Sequence, residues 1–117
     1  MDPLKDSFIE EYEGAQEQAA KERYKNSTIL FSKSLFALCD FLIYQKLKKL
    51  PKNHTERFRI LEEYFPDVYT IVDELFSHYT DAYTKKILKE TSEAIQHGIK
   101  KIIRTHQIPD SIKKIVT

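Results

Sequence analysis

Apolar residues recur along most of this chain at the three- and four-residue spacing of an α-helix. The pattern is clearest over residues 66–83, and its members share one helix face: Val68, Ile71, Val72, Leu75, Phe76, Tyr79 and Tyr83. A proline is favoured in the first turn of a helix, so Pro66 and Asp67 mark its start. The spacing predicts a helix that continues to about residue 89.

Caps and breakers divide the first half of the chain into three more predicted helices. One covers residues 3–24, with modest apolar content that places it on the outside of a bundle. The second begins at an N-cap, Asn26 or Ser27, and runs to residue 50, where Pro51 stops it. The third follows an Asn53 N-cap, with Glu56 completing a pair of the capping-box type, and ends before residue 66.

The last part of the chain predicts one further helix and a short turn. Thr91 or Ser92 is the expected N-cap, and the helix runs to about residue 105. Its inward positions are Ile95, Ile99, Ile102 and Ile103. Residues 110–116 add a short turn after the break at Pro109.

The scarcity of glycine and proline supports a helical fold. With 2 glycines and 4 prolines in 117 residues, the chain lacks the turn residues that a β protein needs. We therefore predict an all-α fold, an antiparallel up-and-down four-helix bundle with an additional short helix. The length fits a single domain over residues 1–117.

Composition and charge narrow the environment and the partners. The single cysteine, Cys39, permits no intrachain disulfide and no multi-thiolate zinc site, and we interpret it as a core residue. No apolar run is expected to span a bilayer and no signal segment follows Met1, which predicts a cytoplasmic protein without a membrane partner. The net charge of +1 divides into −4 over residues 1–24 and +5 over residues 84–117. The basic end is either a solvated helix face or a surface for a phosphate backbone.

Asp40 stands inside the apolar run Ala-Leu-Cys-Asp-Phe-Leu-Ile-Tyr of residues 37–44. An unpaired carboxylate in a dry core is costly, so Asp40 needs a partner or access to water. The helical period places it at the shoulder of the apolar face. The expected partner is Lys33, Arg57 or a tyrosine hydroxyl, and the alternative is a role in binding a ligand.

Standard enzyme signatures are missing, including a glycine-rich phosphate loop, GxSxG and HExxH. The fourth predicted helix carries Glu74, His78 and Asp81 on one stripe. Such a stripe is usually a solvated face, but it can also bind a metal or tune a histidine for proton transfer. Tyr79 and Tyr83 extend the apolar face, either in the core with a polar tip or at a subunit interface.

Three blocks between residues 24 and 105 carry a resemblance to a known family: SKSLFALCDFLIYQKLKKL, LPKNHTERF and LFSHYTDAY. In this order they resemble the HEPN domains, a family of small helical domains. The segment SKSLFALCDFLIYQKLKKL resembles the family's central helix, with Asp40 at its acidic position. The segment LPKNHTERF resembles the entry to the next helix, with His54 at the matching position. The segment LFSHYTDAY resembles a later helix that carries a polar motif and a tyrosine.

This resemblance implies a helical bundle that pairs into a homodimer. Many relatives are metal-independent ribonucleases, encoded beside a small nucleotidyltransferase as a toxin–antitoxin pair. Their active motif is an arginine followed four to six residues later by a histidine, and this sequence has no such pair. His78 remains a candidate proton carrier, with Lys85 or Lys86 as the only basic groups near it in sequence.

The sequence therefore favours a noncatalytic HEPN-like homodimer that binds a nucleotidyltransferase partner or a nucleotide, without a cofactor or metal. The alternative is a metal-independent ribonuclease with an atypical active site at His78. The candidate ligand or interface residues are Asp40, His54, Glu74, Tyr79, Asp81 and Tyr83. A metal site at Glu74, His78 and Asp81 is the weakest of the three hypotheses.

Overall fold

The computed structural model describes residues 2–116, leaving Met1 and Thr117 outside the description, and this part of the chain is all helical. Its six helices are α1 (Asp2–Ala20), α2 (Tyr24–Leu47), α3 (His54–Tyr64), α4 (Pro66–Asp81), α5 (Lys89–Thr105) and α6 (Asp110–Val116). The all-α prediction is confirmed. The helices form a compact body of 37 × 28 × 22 Å.

Helix α2 lies at the centre and packs against α1, α3, α4 and α5. Its side chains are buried around most of its circumference, as expected for a helix that is apolar on several sides. Each of the other helices contributes a narrower stripe to the same core. The largest fully buried side chains include Phe8, Tyr12, Phe31, Leu35, Leu38, Ile43, Leu61, Ile95, Ile99, Ile102 and Ile112.

Side-chain contacts fix the direction of the helices that flank α2. The ring of Tyr12 packs edge-on against Phe31, and Asn26 donates to Gln18, so α1 runs antiparallel to α2. Helix α3 runs in the same direction as α2, because residues 48–53 return along the bundle before α3 begins. The contact of His54 with Phe36 lies at its start, and the side chain of Lys46 lies over the ring of Tyr64 at its end.

Several predicted helix ends are wrong by a few residues. Helix α2 ends at Leu47, with Lys48 in the left-handed conformation (φ 58°), and it starts at Tyr24 rather than after Asn26 or Ser27. The Ser27 hydroxyl is buried and bonds to that of Ser92, so neither side chain is available to cap its helix. Helix α5 starts at Lys89, with Leu88 at the N-cap position and no side-chain cap.

Helix α4 ends at Asp81, eight residues before the predicted end. After Ala82, the next positions that would fall on the buried stripe are Lys85, Lys86 and Lys89. Continuing the helix would therefore turn lysines toward the core. The start of α4 at Pro66 and the Asn53 cap of α3 are as predicted, since the Glu56 N–H donates to Asn53 Oδ1 over 2.9 Å.

Helix α2 is long and apolar enough to cross a bilayer by length and composition, contrary to the expectation that no segment is. In the folded protein, 67% of its most apolar window is buried. The core helix of a soluble bundle can also be this long and this apolar, because it is buried on several faces. The burial of α2 supports its role as the core helix.

Candidate functional site

Asp40 and Arg57 form a two-bond ion pair that joins α2 to α3. Arg57 Nε donates to Asp40 Oδ1 over 2.7 Å, and Arg57 Nη2 donates to Asp40 Oδ2 over 3.0 Å. Both side chains are largely buried, with 12% and 16% of the arginine and aspartate side-chain surface exposed. A fork-to-fork pair of this kind is stronger and more directional than a single contact. Of the three partners expected for Asp40, the structure selects Arg57.

His54 completes the cluster from the first turn of α3. Arg57 Nη1 lies 2.7 Å from His54 Nδ1. A guanidinium can only donate, so Nδ1 accepts and the proton of the neutral ring is on Nε2. We refer to these three residues as the Asp40–Arg57–His54 cluster.

The surroundings of the imidazole favour its neutral form. Burial lowers the pKa of His54 below its ordinary value of 6.5, and the charge of Arg57 lowers it further, while Asp40 acts in the opposite direction. Burial and the charge of Arg57 both lower the pKa of His54, and together they outweigh the opposite effect of the Asp40 carboxylate. His54 is therefore a neutral hydrogen-bond donor at Nε2 near pH 7, with no hydrogen-bond partner for that nitrogen among residues 2–116.

Aromatic rings enclose the imidazole. The ring centroids of Phe36, Phe76 and Tyr79 lie 4.8, 5.2 and 6.0 Å from that of His54. The guanidinium carbon of Arg57 lies 5.4 Å from the centre of the Phe36 ring, a cation–π distance. The apolar rings on α2 and α4 explain why the charged groups of the cluster pair so closely with one another.

Tyr83 continues the aromatic series from Tyr79 to the surface. The two ring centroids are 5.5 Å apart, and the hydroxyl oxygens are 3.4 Å apart. This hydrogen bond, with burial, raises the pKa of Tyr79 to about 12. Tyr83 itself is 51% exposed. The two tyrosines therefore connect the buried cluster to solvent.

The stripe of Glu74, His78 and Asp81 does not form a metal site. Across the described residues, no group of three or more His, Cys, Asp and Glu side chains is placed to hold a metal ion. Asp81 is instead paired with Lys85, at 3.4 Å. The metal-site hypothesis for these three residues is therefore wrong.

His78 stands apart from the cluster. Over residues 2–116, its side chain makes no hydrogen bond, ion pair or ring contact. Its neighbour in sequence, Tyr79, points toward His54 instead, because adjacent residues on a helix face different directions. The structure thus brings Asp40, His54 and Tyr79 together and leaves Glu74 and His78 outside.

The pairing of Arg57 with His54 was missed in the sequence. A search for an arginine before a histidine overlooks the reverse order, His-x-x-Arg, at residues 54–57. That spacing places both side chains on one helix face, so their contact with each other could have been predicted from the sequence. Only the packing of α3 on α2 shows that the pair also meets Asp40.

An open cleft of about 470 Å³ lies away from the cluster, between α1 and α5. Its charged lining residues are of both signs, Glu22, Lys89 and Glu93. None of the candidate site residues named from the sequence lines it. The cleft therefore adds no residue to the candidate site.

Comparison with protein-family models, with curated proteins and with solved structures gave no match for this chain. A function must therefore be argued from the cluster and its surroundings.

Proposed function

We propose that this chain is a noncatalytic HEPN-like interaction module. The observation that carries the proposal is that most of the hydrogen-bond donors of Arg57 are already bonded within the fold. Three of its five N–H groups are held by Asp40 and His54 within the fold. A guanidinium that must stabilise charge on a phosphate needs its donors free at the reaction site. The cluster instead holds α3 on α2, which suits a scaffold for binding.

In this proposal the module is an up-and-down arrangement of four principal helices, α1, α2, α4 and α5, with α3 as the additional short one. It acts in the cytoplasm as a homodimer. The half-exposed ring of Tyr83 and the partly buried ring of Tyr79 form the interface, since tyrosine is enriched in the buried centres of protein interfaces. The partner is a nucleotidyltransferase or a nucleotide, as the family resemblance implies.

Sedimentation velocity over a wide concentration range tests the dimer. We expect the wild type to sediment as a dimer and Tyr83→Asp to sediment as a monomer, because the charge would be buried without a partner. Tyr64→Asp is the matched control, because Tyr64 is an exposed tyrosine outside the proposed interface, at 38% exposure. A monomeric wild type at every concentration would contradict the proposal.

A metal-independent ribonuclease is the second candidate, and one observation favours it. The 2.7 Å contact of Arg57 with His54 pairs a guanidinium with a neutral imidazole whose Nε2–H is open to a ligand. Two guanidinium N–H groups also remain after the three bonds within the cluster. In this reading the active residue is His54 rather than His78.

Incubation of structured RNA with the protein in EDTA distinguishes the two candidates. The noncatalytic proposal expects no cleavage by the wild type. Cleavage that is lost in His54→Ala and retained in His78→Ala would instead establish the nuclease at the cluster. Equal cleavage by all three proteins would indicate a contaminant and leave the noncatalytic proposal standing.

A further inference from the structure

The second half of α5 and the whole of α6 are strongly basic. Residues 94–117 contain five basic residues and one acidic residue, Asp110. Residues 94–109, which include most of α5, contain no acidic residue. The whole chain has a net charge of only +1, so this segment concentrates positive charge. Neither the Asp40–Arg57–His54 cluster nor the proposed dimer uses it.

A small cleft brings basic side chains of α5 next to α6. The cleft has a volume of about 240 Å³ and is bordered by Lys100 and Arg104, which lie one helical turn apart on α5. Its apolar residues are Ile103 of α5 and Val116 of α6. Two cations therefore stand together at the junction of the two helices.

Two further lysines extend this cationic surface. Lys101 is three positions before Arg104 on α5, and Lys113 is three positions before Val116 on α6. Residues at this spacing are neighbours on a helix surface, so each lysine adjoins a residue that lines the cleft. We call the following four residues the basic face: Lys100, Lys101, Arg104 and Lys113.

The fold does not neutralise the α5 charges of the basic face. Among residues 2–116, no ion pair includes Lys100, Lys101 or Arg104. Like charges three or four positions apart repel on a helix surface, so both lysines repel Arg104. A cation in the last turn is favoured by the helix dipole, but only Arg104 lies in that turn. The two lysines therefore cost the isolated fold stability, which an anionic partner would recover.

The surroundings of the basic face indicate which anionic partner it fits. None of the large hydrophobic side chains exposed among residues 2–116 belongs to α5 or α6, so these helices offer a lipid bilayer no side chain to insert. Ile103 and Val116 are only 4% and 3% exposed, so a protein partner would find little apolar surface for the centre of an interface. A phosphate backbone needs only positive charge and N–H donors.

We propose that the basic face binds the phosphate backbone of a double-stranded nucleic acid. Proteins bind single strands by stacking the bases on aromatic side chains, and residues 84–117 contain no Phe, Tyr or Trp. The lysines bind phosphates as point charges, and Arg104 binds one through two N–H groups. Such contacts read no base edge, so the binding is independent of sequence.

The basic face is separate from the proposed dimer interface. His106, directly after α5, has its Nε2 2.7 Å from Oδ2 of Asp67 in the first turn of α4. Arg104 therefore lies near the start of α4, whereas Tyr79 and Tyr83 lie near its end. Asp67 and Tyr79 are twelve positions apart, about 18 Å along the helix. Binding at the basic face thus requires neither the dimer nor its partner.

Fluorescence anisotropy with a labelled DNA duplex of mixed sequence tests the proposal. We expect binding at low salt that weakens as salt rises, with a slope of log affinity against log salt of about −3.6 for four phosphate contacts. Lys100→Gln/Lys101→Gln should weaken binding and make the slope shallower by about 2. Glutamine forms helices about as well as lysine and removes the repulsion of Arg104, so the melting temperature of this variant should not fall.

Lys25→Gln/Lys86→Gln is the matched control. Both lysines are exposed and have no ion-pair partner among residues 2–116. They lie near the start of α5, because the bond between Ser27 and Ser92 places the start of α2 there. The control should keep the wild-type slope. Equal losses in the two double variants, no binding at low salt, tighter binding of single-stranded DNA, or displacement of the duplex by polyglutamate at equal charge would each overturn the proposal.

Discussion

Arg57 Nη1 lies 2.7 Å from Nδ1 of His54, within the first turn of α3, while its other two nitrogens hold Asp40 of α2. This one contact fixes the tautomer of the histidine and orients the guanidinium toward the carboxylate. It also makes the attachment of α3 to α2 sensitive to the charge of all three groups.

The ion pair between Asp40 and Arg57 should stabilise the fold strongly as a pair. Removing one partner leaves the other charge largely buried, so Asp40→Ala and Arg57→Ala should each lower the free energy of unfolding by about 3 kcal/mol. The double variant should cost less than the sum, because the second removal leaves no unpaired charge. Urea denaturation of the four proteins measures this cycle. Additive losses would show that the two residues contribute separately.

Acidification should destabilise the protein through His54. The pKa of its imidazole is lower in the folded protein than its ordinary value of 6.5, so the unfolded chain takes up a proton first as the pH falls. The stabilisation is complete above about pH 6.5 and is lost as the pH falls toward the folded value. Denaturant midpoints measured between pH 7.5 and 5 should therefore decrease.

His54→Asn is the matched variant for this pH dependence. The amide oxygen of asparagine, bonded to Cγ as Nδ1 is, can accept from Arg57 and does not titrate. The variant should show a flatter stability profile over the same range, while His97→Asn, at an exposed position of α5, should keep the wild-type slope. A wild-type slope in His54→Asn would assign the pH dependence to other groups.

Replacing Gly98 and Gly14 by alanine should change the stability of the protein in opposite directions. A Cβ at Gly98 would lie 2.6 Å from Leu75 Cδ1 and 3.0 Å from Ile71 Cγ2, so the side chains that pack α4 on α5 would have to shift. A Cβ at Gly14 would lie 3.4 Å from Leu30 Cδ1, an ordinary contact. Alanine improves the helix by up to about 1 kcal/mol at either site. We expect Gly14→Ala to raise the melting temperature and Gly98→Ala to lower it, by calorimetry.

Cys39 should be inert in the folded protein. It is fully buried, and burial raises the pKa of its thiol to about 12. The thiolate is the reactive form, so a disulfide reagent at pH 8 should modify Cys39 only when the chain unfolds. The measured labelling rate should follow denaturant concentration and equal that of a free thiol in strong urea. Rapid labelling of the native protein would contradict the packing around α2.

Several elements followed from local patterns alone. Val68 and Val72 are buried on α4 as their spacing predicts, and so are Ile95 and Ile99 on α5. The Asn53 cap was also predictable, because a cap is a contact between residues three apart. The C-terminal end of α4 and the start of α5 were not. They depend on which face of the next turn would meet the core, and that is set by the neighbouring helices.

The candidate site was only partly visible in the sequence. The need of Asp40 for a partner followed from its apolar neighbours, and Arg57 was one of three possibilities. His54 and Arg57 share a helix face by spacing, yet the ion pair of Arg57 with Asp40 joins residues 17 positions apart. The separation of His78 from this cluster also depends on how α4 is rotated against α3. No local signal determines that rotation.

By itself, the sequence determined that the chain is helical, which faces are apolar and that Asp40 requires a polar partner. These are properties of residues three or four positions apart, where the helical period makes the geometry certain. The tertiary structure alone decided that Arg57 bonds to both Asp40 and His54, and that the ring of His54 meets aromatic rings of α2 and α4. Those relationships depend on the return of residues 48–53 along the bundle, which no periodicity encodes.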